Sequence, residues 1–164
     1  MKKIGLLSDT HSFLDQKICD FLKDCDEIWH AGDIGNMEVA DKLSKAKPFK
    51  AVYGNIDGQE VRISFPKIQH FQCEEVKVLM VHIGGYPGRY ERGVKEMIQK
   101  LKPKLFISGH SHILKVMYDK KNDLLHMNPG AAGKSGFHKH QTAVRFKVDG
   151  KEIKDLEVYE KQRH

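Results

Sequence analysis

The chain has 164 residues, 40% hydrophobic and 30% charged, a size and composition that suit one globular domain spanning residues 1–164 and exclude a disordered polymer. No apolar run approaches the ~20 residues that cross a bilayer, and the apolar run within Met1–Asp9 is too short for a secretory leader; a cytoplasmic protein with no membrane contact is expected. Lysine plus arginine (28) exceed aspartate plus glutamate (22), giving +6, which suits an anionic partner, but the lysines are scattered over a solvated surface with no block of like charge. Cys19, Cys25 and Cys73 form no Cys-x-x-Cys pair and are odd in number, which argues against a disulfide framework or a thiolate metal site. Ten histidines are the more telling count, because imidazole is the commonest side-chain metal ligand and acid–base group near neutral pH.

Along the chain, Lys2–Ser8 reads as a buried strand that ends in Asp9-Thr10-His11. Asp9 and His11 stand two apart, so in extended backbone both side chains point the same way. Leu14–Leu22 has helical apolar spacing. Glu27–Ala31 is a second strand that stops at Gly32-Asp33, and Met37–Ser44 a second helix. Taken alone, Asp33 fits a cap for that helix. Phe49–Tyr53 is a third strand ending in Gly54-Asn55-Ile56-Asp57. Strand, helix, strand, helix, strand predicts parallel pairing with right-handed crossovers, and the site of such a sheet lies at the carboxyl ends of its strands.

The pattern then shortens. Val61–Phe65, Gln69–Cys73 and Val76–Val81 read as strands in hairpins, the last delivering His82 to a loop with Gly84 and Gly85. A loop over Tyr86–Tyr90 brings Arg89, which could reach an anion. Val94–Leu101 is helical. Leu105–Ser108 is a strand that ends in Gly109-His110-Ser111-His112. Ile113–Tyr118, Leu124–Met127, Thr142–Val148 and Ile153–Tyr159 read as antiparallel strands, with a tight turn at Asn128-Pro129-Gly130.

Asp9, His11, Asp33, Asn55, His82, His110 and His112 each follow an apolar run. Each alone has an ordinary structural explanation, but seven such strand ends do not share one. Two carboxylates, four imidazoles and an amide oxygen make a metal-type ligand set.

In this order, Asp9-x-His11, Gly32-Asp33, Gly54-Asn55, His82 and Gly109-His110-x-His112 resemble the calcineurin-like metallophosphoesterase superfamily, in particular its small bacterial and archaeal phosphodiesterase branch. The resemblance runs from Ile4 to about Gly130. It implies an α/β fold, a two-sheet β sandwich flanked by helices in four α/β/β/α layers. It implies that Asp9, His11 and His112 hold one metal, that Asn55, His82 and His110 hold a second, and that Asp33 bridges them. A hydroxide held between the ions would attack a phosphodiester. Asp33, Asn55 and His82 are then the catalytic candidates, with Asn55 and Arg89 as candidate substrate contacts. The cofactors implied are two divalent transition metal ions, manganese first, with nickel, zinc, iron or cobalt also suited to mixed nitrogen and oxygen ligands.

Two positions depart from the family pattern. Ile56 stands where many larger relatives carry a histidine that protonates the leaving group; His138 and His140, on a glycine-rich loop, are the substitutes considered. Gly84 and Gly85 stand where small relatives often carry a second histidine, which predicts a wider pocket. His30 and Asp57 flank the ligands and are expected either to support them or to serve only local structure. With no room for a cap domain, the site should be open to small phosphodiesters, and nucleic acid enters only as a substrate. The competing readings are a phosphomonoesterase or nuclease of the same superfamily, and a protein-binding scaffold like a retromer coat subunit that shares the fold. Homo-oligomers are common among small relatives.

Overall fold

The computed structural model describes residues 1–163. β1 (Lys2–Leu7), β2 (Glu27–His30) and β3 (Phe49–Ala51) pair in parallel, joined by α1 (Gln16–Leu22) and α2 (Met37–Ala46). The expected crossover order is therefore present. Their continuous apolar character follows from burial on both faces. Ile4 and Leu6 face the interior between two sheets, whereas Leu7 and Ile28 pack under the helices against Ile18, Leu22, Val39 and Leu43. α2 is capped by Asn36, whose side-chain oxygen accepts from Val39 N at 3.3 Å. Asp33 is thus left free of the capping role.

Residues 59–64 correct one expectation. The short strand-like run Val61–Phe65 predicts a strand, but the segment is helix α3 (Gln59–Ser64). Only Val61 is buried, Ile63 is 76% exposed, and Phe65 N–H donates to Val61 O at 2.9 Å. Val61 and Phe65, one turn apart, thus pack into the same core cluster at the C-terminal end of the helix.

β4 (Ile68–Cys73) and β5 (Val76–Val81) form the expected antiparallel hairpin. Residues 85–90, expected as an open loop, close into the short hairpin β6 (Gly85–Tyr86) and β7 (Arg89–Tyr90). α4 (Val94–Leu101) leads to β8 (Leu105–Ile107), which pairs in parallel with β5. β9 (Leu114–Asp119) and β10 (Leu124–Pro129) are antiparallel. Asn128 and Pro129 belong to β10 and do not form the expected tight turn; the chain leaves the sheet at Gly130 and returns at β11 (His140–Asp149), which pairs with β12 (Glu152–Gln162).

The strands form two five-stranded sheets, ordered β12-β11-β1-β2-β3 and β4-β5-β8-β10-β9. Trp29, Phe146, Met80 and Ile107 fill the layer between them. α1, α2 and α3 cover one outer face, and α4 covers the other through Val94 and Ile98 against Leu79 and Phe106. This is the four-layer α/β/β/α sandwich that the resemblance implies. No helix among the described residues is long and apolar enough to cross a membrane.

Candidate metal centre

The ends of β1, β2 and β8 supply five of the seven ligand-type residues in an uncommon backbone state. Asp9, His11, Asp33, His110 and His112 have φ of 54°, 46°, 56°, 70° and 64°. This left-handed region costs an L-residue roughly 1–2 kcal/mol, and the loops hold it against that cost. Asp9 N, His11 N and Ser12 N donate to Gly32 O, Asp33 O and Ile34 O at 2.9–3.0 Å, zipping the loop after β1 to the loop after β2. Asp9 and His11 therefore do not meet through the i, i+2 alternation of a strand. Their backbone is not extended, and they converge because the chain turns at both.

The side chains meet at two points. Asp9, His11 and His112 bring ligand atoms within 4.8 Å of one another, and so do Asp33, His82 and His110. Asp33 Oδ2 lies 3.3 Å from His11 Nε2 and 3.2 Å from His82 Nε2, between the two groups. Asn55 joins the second group, with its Oδ1 3.0 Å from His110 Nδ1.

Each carboxylate has one oxygen tied up and one facing the cluster. Asp9 Oδ2 accepts from Ser8 Oγ at 2.6 Å and from His110 N at 3.1 Å, while its Oδ1 has no hydrogen-bond partner. Asp33 Oδ1 accepts from Ile56 N at 3.0 Å. His82 Nδ1–H donates to Ala31 O at 2.8 Å, which turns the Nε2 lone pair inward. Asp9 Oδ1, His11 Nε2 and His82 Nε2 are buried and unpartnered. Three orphaned polar atoms converging on one point are costly unless a cation sits between them, and the donor set fits a metal. Burial pushes the Asp9 and Asp33 carboxyls up, but the imidazoles beside them, His11 and His112 at Asp9 and His82 at Asp33, outweigh it and hold both below the usual carboxylate range. The cluster is an anionic pair ringed by imidazoles.

Several residues hold these loops without facing the cluster. Asp57, 3% exposed, accepts three backbone N–H groups: Gly35 at 2.8 Å, Ile34 at 3.2 Å and Gly54 at 2.8 Å. It locks the Asp33 loop to the Asn55 loop, far more than a local turn. His30 is fully buried, and burial drops its pKa to about 3, so it is neutral. Gly32 N–H donates to its Nδ1, which leaves the proton on Nε2 for Thr10 Oγ1, and that hydroxyl donates to Ile34 O. Asn128 accepts from Gly130 N and donates to Gly109 O and Ser111 Oγ, steadying the His110–His112 loop. His138 Nε2–H donates to Gly133 O at 2.8 Å, so its Nδ1 accepts from His112 Nδ1–H at 2.9 Å. That tautomer leaves His112 Nε2 facing Asp9 Oδ1 at 3.3 Å. In sequence, neither Asn128 nor His138 carries a spacing signal that ties it to the ligands.

The remaining expectations divide. His138 lies against the cluster with both nitrogens engaged. His140 lies away from it, 3.6 Å from Glu160 on the outer strand pair. Arg89 is exposed on the β6–β7 hairpin and does not line the hollows at the cluster; Arg62, Lys67 and Arg92 line the cavity of about 590 Å³ beside Asn55 and His82. Gly84 does not widen the site, because a Cβ there would meet Phe106 at 2.5 Å and Val81 at 2.9 Å; the missing side chain lets the sheet close up.

Two packed sheets that gather carboxylates, imidazoles and an amide at their strand ends define a metallophosphoesterase. A model of the calcineurin-like phosphoesterase superfamily domain matches residues 1–151, and the chain belongs to that superfamily. It is 29% identical over 133 residues to a probable metallophosphoesterase of Methanothermobacter thermautotrophicus, covering 78% of this chain and 76% of that one. Among solved structures, Vps29 from Entamoeba histolytica complexed with zinc superposes with a TM-score of 0.76 at 15% identity over 98% of each chain. A predicted phosphoesterase from Streptococcus pneumoniae gives 0.70 at 16%, again over 98% of each. At those identities the two structures establish the fold alone.

Proposed function

We propose that the protein is a phosphodiesterase that works with two divalent transition metal ions. The observation that supports this most is the convergence of Asp9 Oδ1, His11 Nε2 and His82 Nε2, buried and unpartnered, around Asp33 Oδ2. Asp9, His11 and His112 would hold one ion, Asn55, His82 and His110 the other, and Asp33 would lie between them. Bound there, such a pair supplies Lewis acidity and lowers the pKa of water into the physiological range. The mixed nitrogen and oxygen donors suit manganese first, then iron, cobalt, nickel or zinc.

The chain's own contribution is placement. Left-handed backbone and paired loops fix the ligand directions, so little reorganisation accompanies substrate binding. Ile56 cannot move a proton, and both nitrogens of His138 are engaged; the leaving oxygen therefore takes its proton from solvent in an open site. The test is hydrolysis of bis-p-nitrophenyl phosphate and p-nitrophenyl phosphate by metal-stripped protein, with manganese, nickel, zinc or magnesium added back. Metal-restored diester cleavage that is lost in Asp33→Asn sustains the reading. Dominant monoester turnover replaces it with a phosphomonoesterase. Absence of turnover with every metal favours a scaffold, the reading that similarity to Vps29 keeps in view.

A further inference from the structure

The cavity of about 590 Å³ beside Asn55 and His82 is larger than the reacting phosphate needs and falls in the range of small-molecule sites. Its floor is apolar: buried Val81 and Val94 with half-buried Met97, from β5 and α4, and exposed Ile68 of β4 adds a further apolar wall. Its mouth carries three cations, Arg62, Lys67 and Arg92, against one carboxylate, Glu91.

Among the described residues, none of the three cations has an acidic partner. The ion pairs among the described residues leave all three out. Arg62 is held rigidly, but by neutral groups. It donates to the backbone oxygens of Asp57, Gly54 and Asn55, and its guanidinium lies 4.6 Å from the centre of the Tyr53 ring. Carbonyls and a ring face orient the charge without cancelling it. A phosphodiester carries a single negative charge at phosphorus, and that charge belongs to the ligand cluster. The surplus positive charge over an apolar floor has no counterpart in a plain diester.

We propose that this cavity seats one ester group of the substrate, and that this group is ring-bearing and carries a second anionic group, as in a nucleotide with a further phosphate. The apolar floor takes the ring, and Lys67 and Arg92 take the second anion. The assignment rests on the phosphodiesterase reading above, since the reacting phosphate must lie at the ligand cluster for its ester group to reach the cavity.

The test compares three p-nitrophenyl diesters: methyl p-nitrophenyl phosphate, thymidine 5′-(p-nitrophenyl phosphate), and the same nucleotide with a 3′-phosphate. kcat/KM should rise along the series, with the 3′-phosphate adding about tenfold, the value of one charge-assisted contact. Lys67→Ala/Arg92→Ala should abolish that last step and leave the methyl ester unchanged; both residues are exposed surface positions. Met97→Trp, which fills the floor, should slow both nucleotide esters more than the methyl ester, whose single small ring needs less of the cavity. No preference for the phosphorylated ester, or a preference that survives the double variant, overturns the assignment. If no ester is turned over, the phosphodiesterase reading fails by itself. Calorimetric titration of the protein with adenosine 3′,5′-bisphosphate then decides the cavity: about tenfold weaker binding to the double variant sustains it, and equal or absent binding overturns it.

Discussion

Asp57 is the residue whose loss should disable the centre without removing a ligand. Its carboxylate accepts Gly35 N–H on Oδ1 and both Ile34 N–H and Gly54 N–H on Oδ2, almost wholly out of solvent. Asp57→Asn keeps the shape but offers one acceptor oxygen. The better orientation puts that oxygen at the Oδ2 position and keeps two bonds. It then sets an NH2 against Gly35 N–H, where the bond measures 2.8 Å. One bond to a charged acceptor is lost and two are weakened, a cost of roughly 3 kcal/mol. In a chain of this size that lowers Tm by roughly 6–12 °C. The affected loops carry Asp33 and Asn55, so metal affinity should fall with stability, by roughly 100-fold. Thermal melting and calorimetric metal titration read the two effects separately. A variant that melts within about 2 °C of the parent and binds metal equally well refutes the claim that Asp57 sets the distance between the loops.

Gly54→Ala should also act through Asp33. The new Cβ would lie 2.1 Å from Asp33 Oδ1 and 2.4 Å from Asp33 N, an overlap worth roughly 1–3 kcal/mol, and metal titration should show weaker binding with the fold retained by circular dichroism. His138→Ala removes the acceptor that sets the His112 tautomer; the expected loss is about 10–100-fold in affinity for the ion held by Asp9, His11 and His112, measured by competition with a chelating dye. His126, 1% exposed and stacked on Phe106, has its pKa lowered from 6.5 to about 4, chiefly by burial. The unfolded chain therefore binds a proton below 6.5 that the folded chain refuses, and stability falls as pH drops through that window. Denaturant melts should show His126→Phe losing roughly 3 kcal/mol less than the parent between pH 7 and pH 4, and identical pH slopes would contradict the assignment.

The parallel start of the fold was legible because β1 and β2 are continuous apolar runs and α2 keeps helical apolar spacing, and the ligand positions because each ends an apolar run. α3 is too short for periodicity to separate helix from strand in the run Val61–Phe65; burial, which leaves Ile63 in solvent, separates them there. The left-handed φ at five ligand residues has no signature in residue type, since Asp and His occupy positions where glycine would be the simple choice. The link from His138 to His112 spans 26 residues and depends on how the loop after β10 folds back over the centre. Asp57 lies beside Asn55 in sequence, but its partners Ile34 and Gly35 lie across the sheet. The cations at the cavity come from α3 and from the connections just before β4 and α4, and meet only in the folded chain. Arg89 stands out in sequence because it lies in a glycine-bearing loop; the structure places it exposed on the β6–β7 hairpin, outside the lining of the hollows at the cluster.

The central claim is that Asp33 joins two metal groups into one working centre. It is tested most directly by titrating metal-stripped protein with manganese and measuring bound metal and phosphodiester turnover at each addition, for the parent and for Asp33→Asn. The account predicts two equivalents per chain in the parent, turnover that rises with the second equivalent, and loss of both second-ion binding and turnover in the variant. Saturation at one equivalent with full turnover, or a variant indistinguishable from the parent, would contradict it.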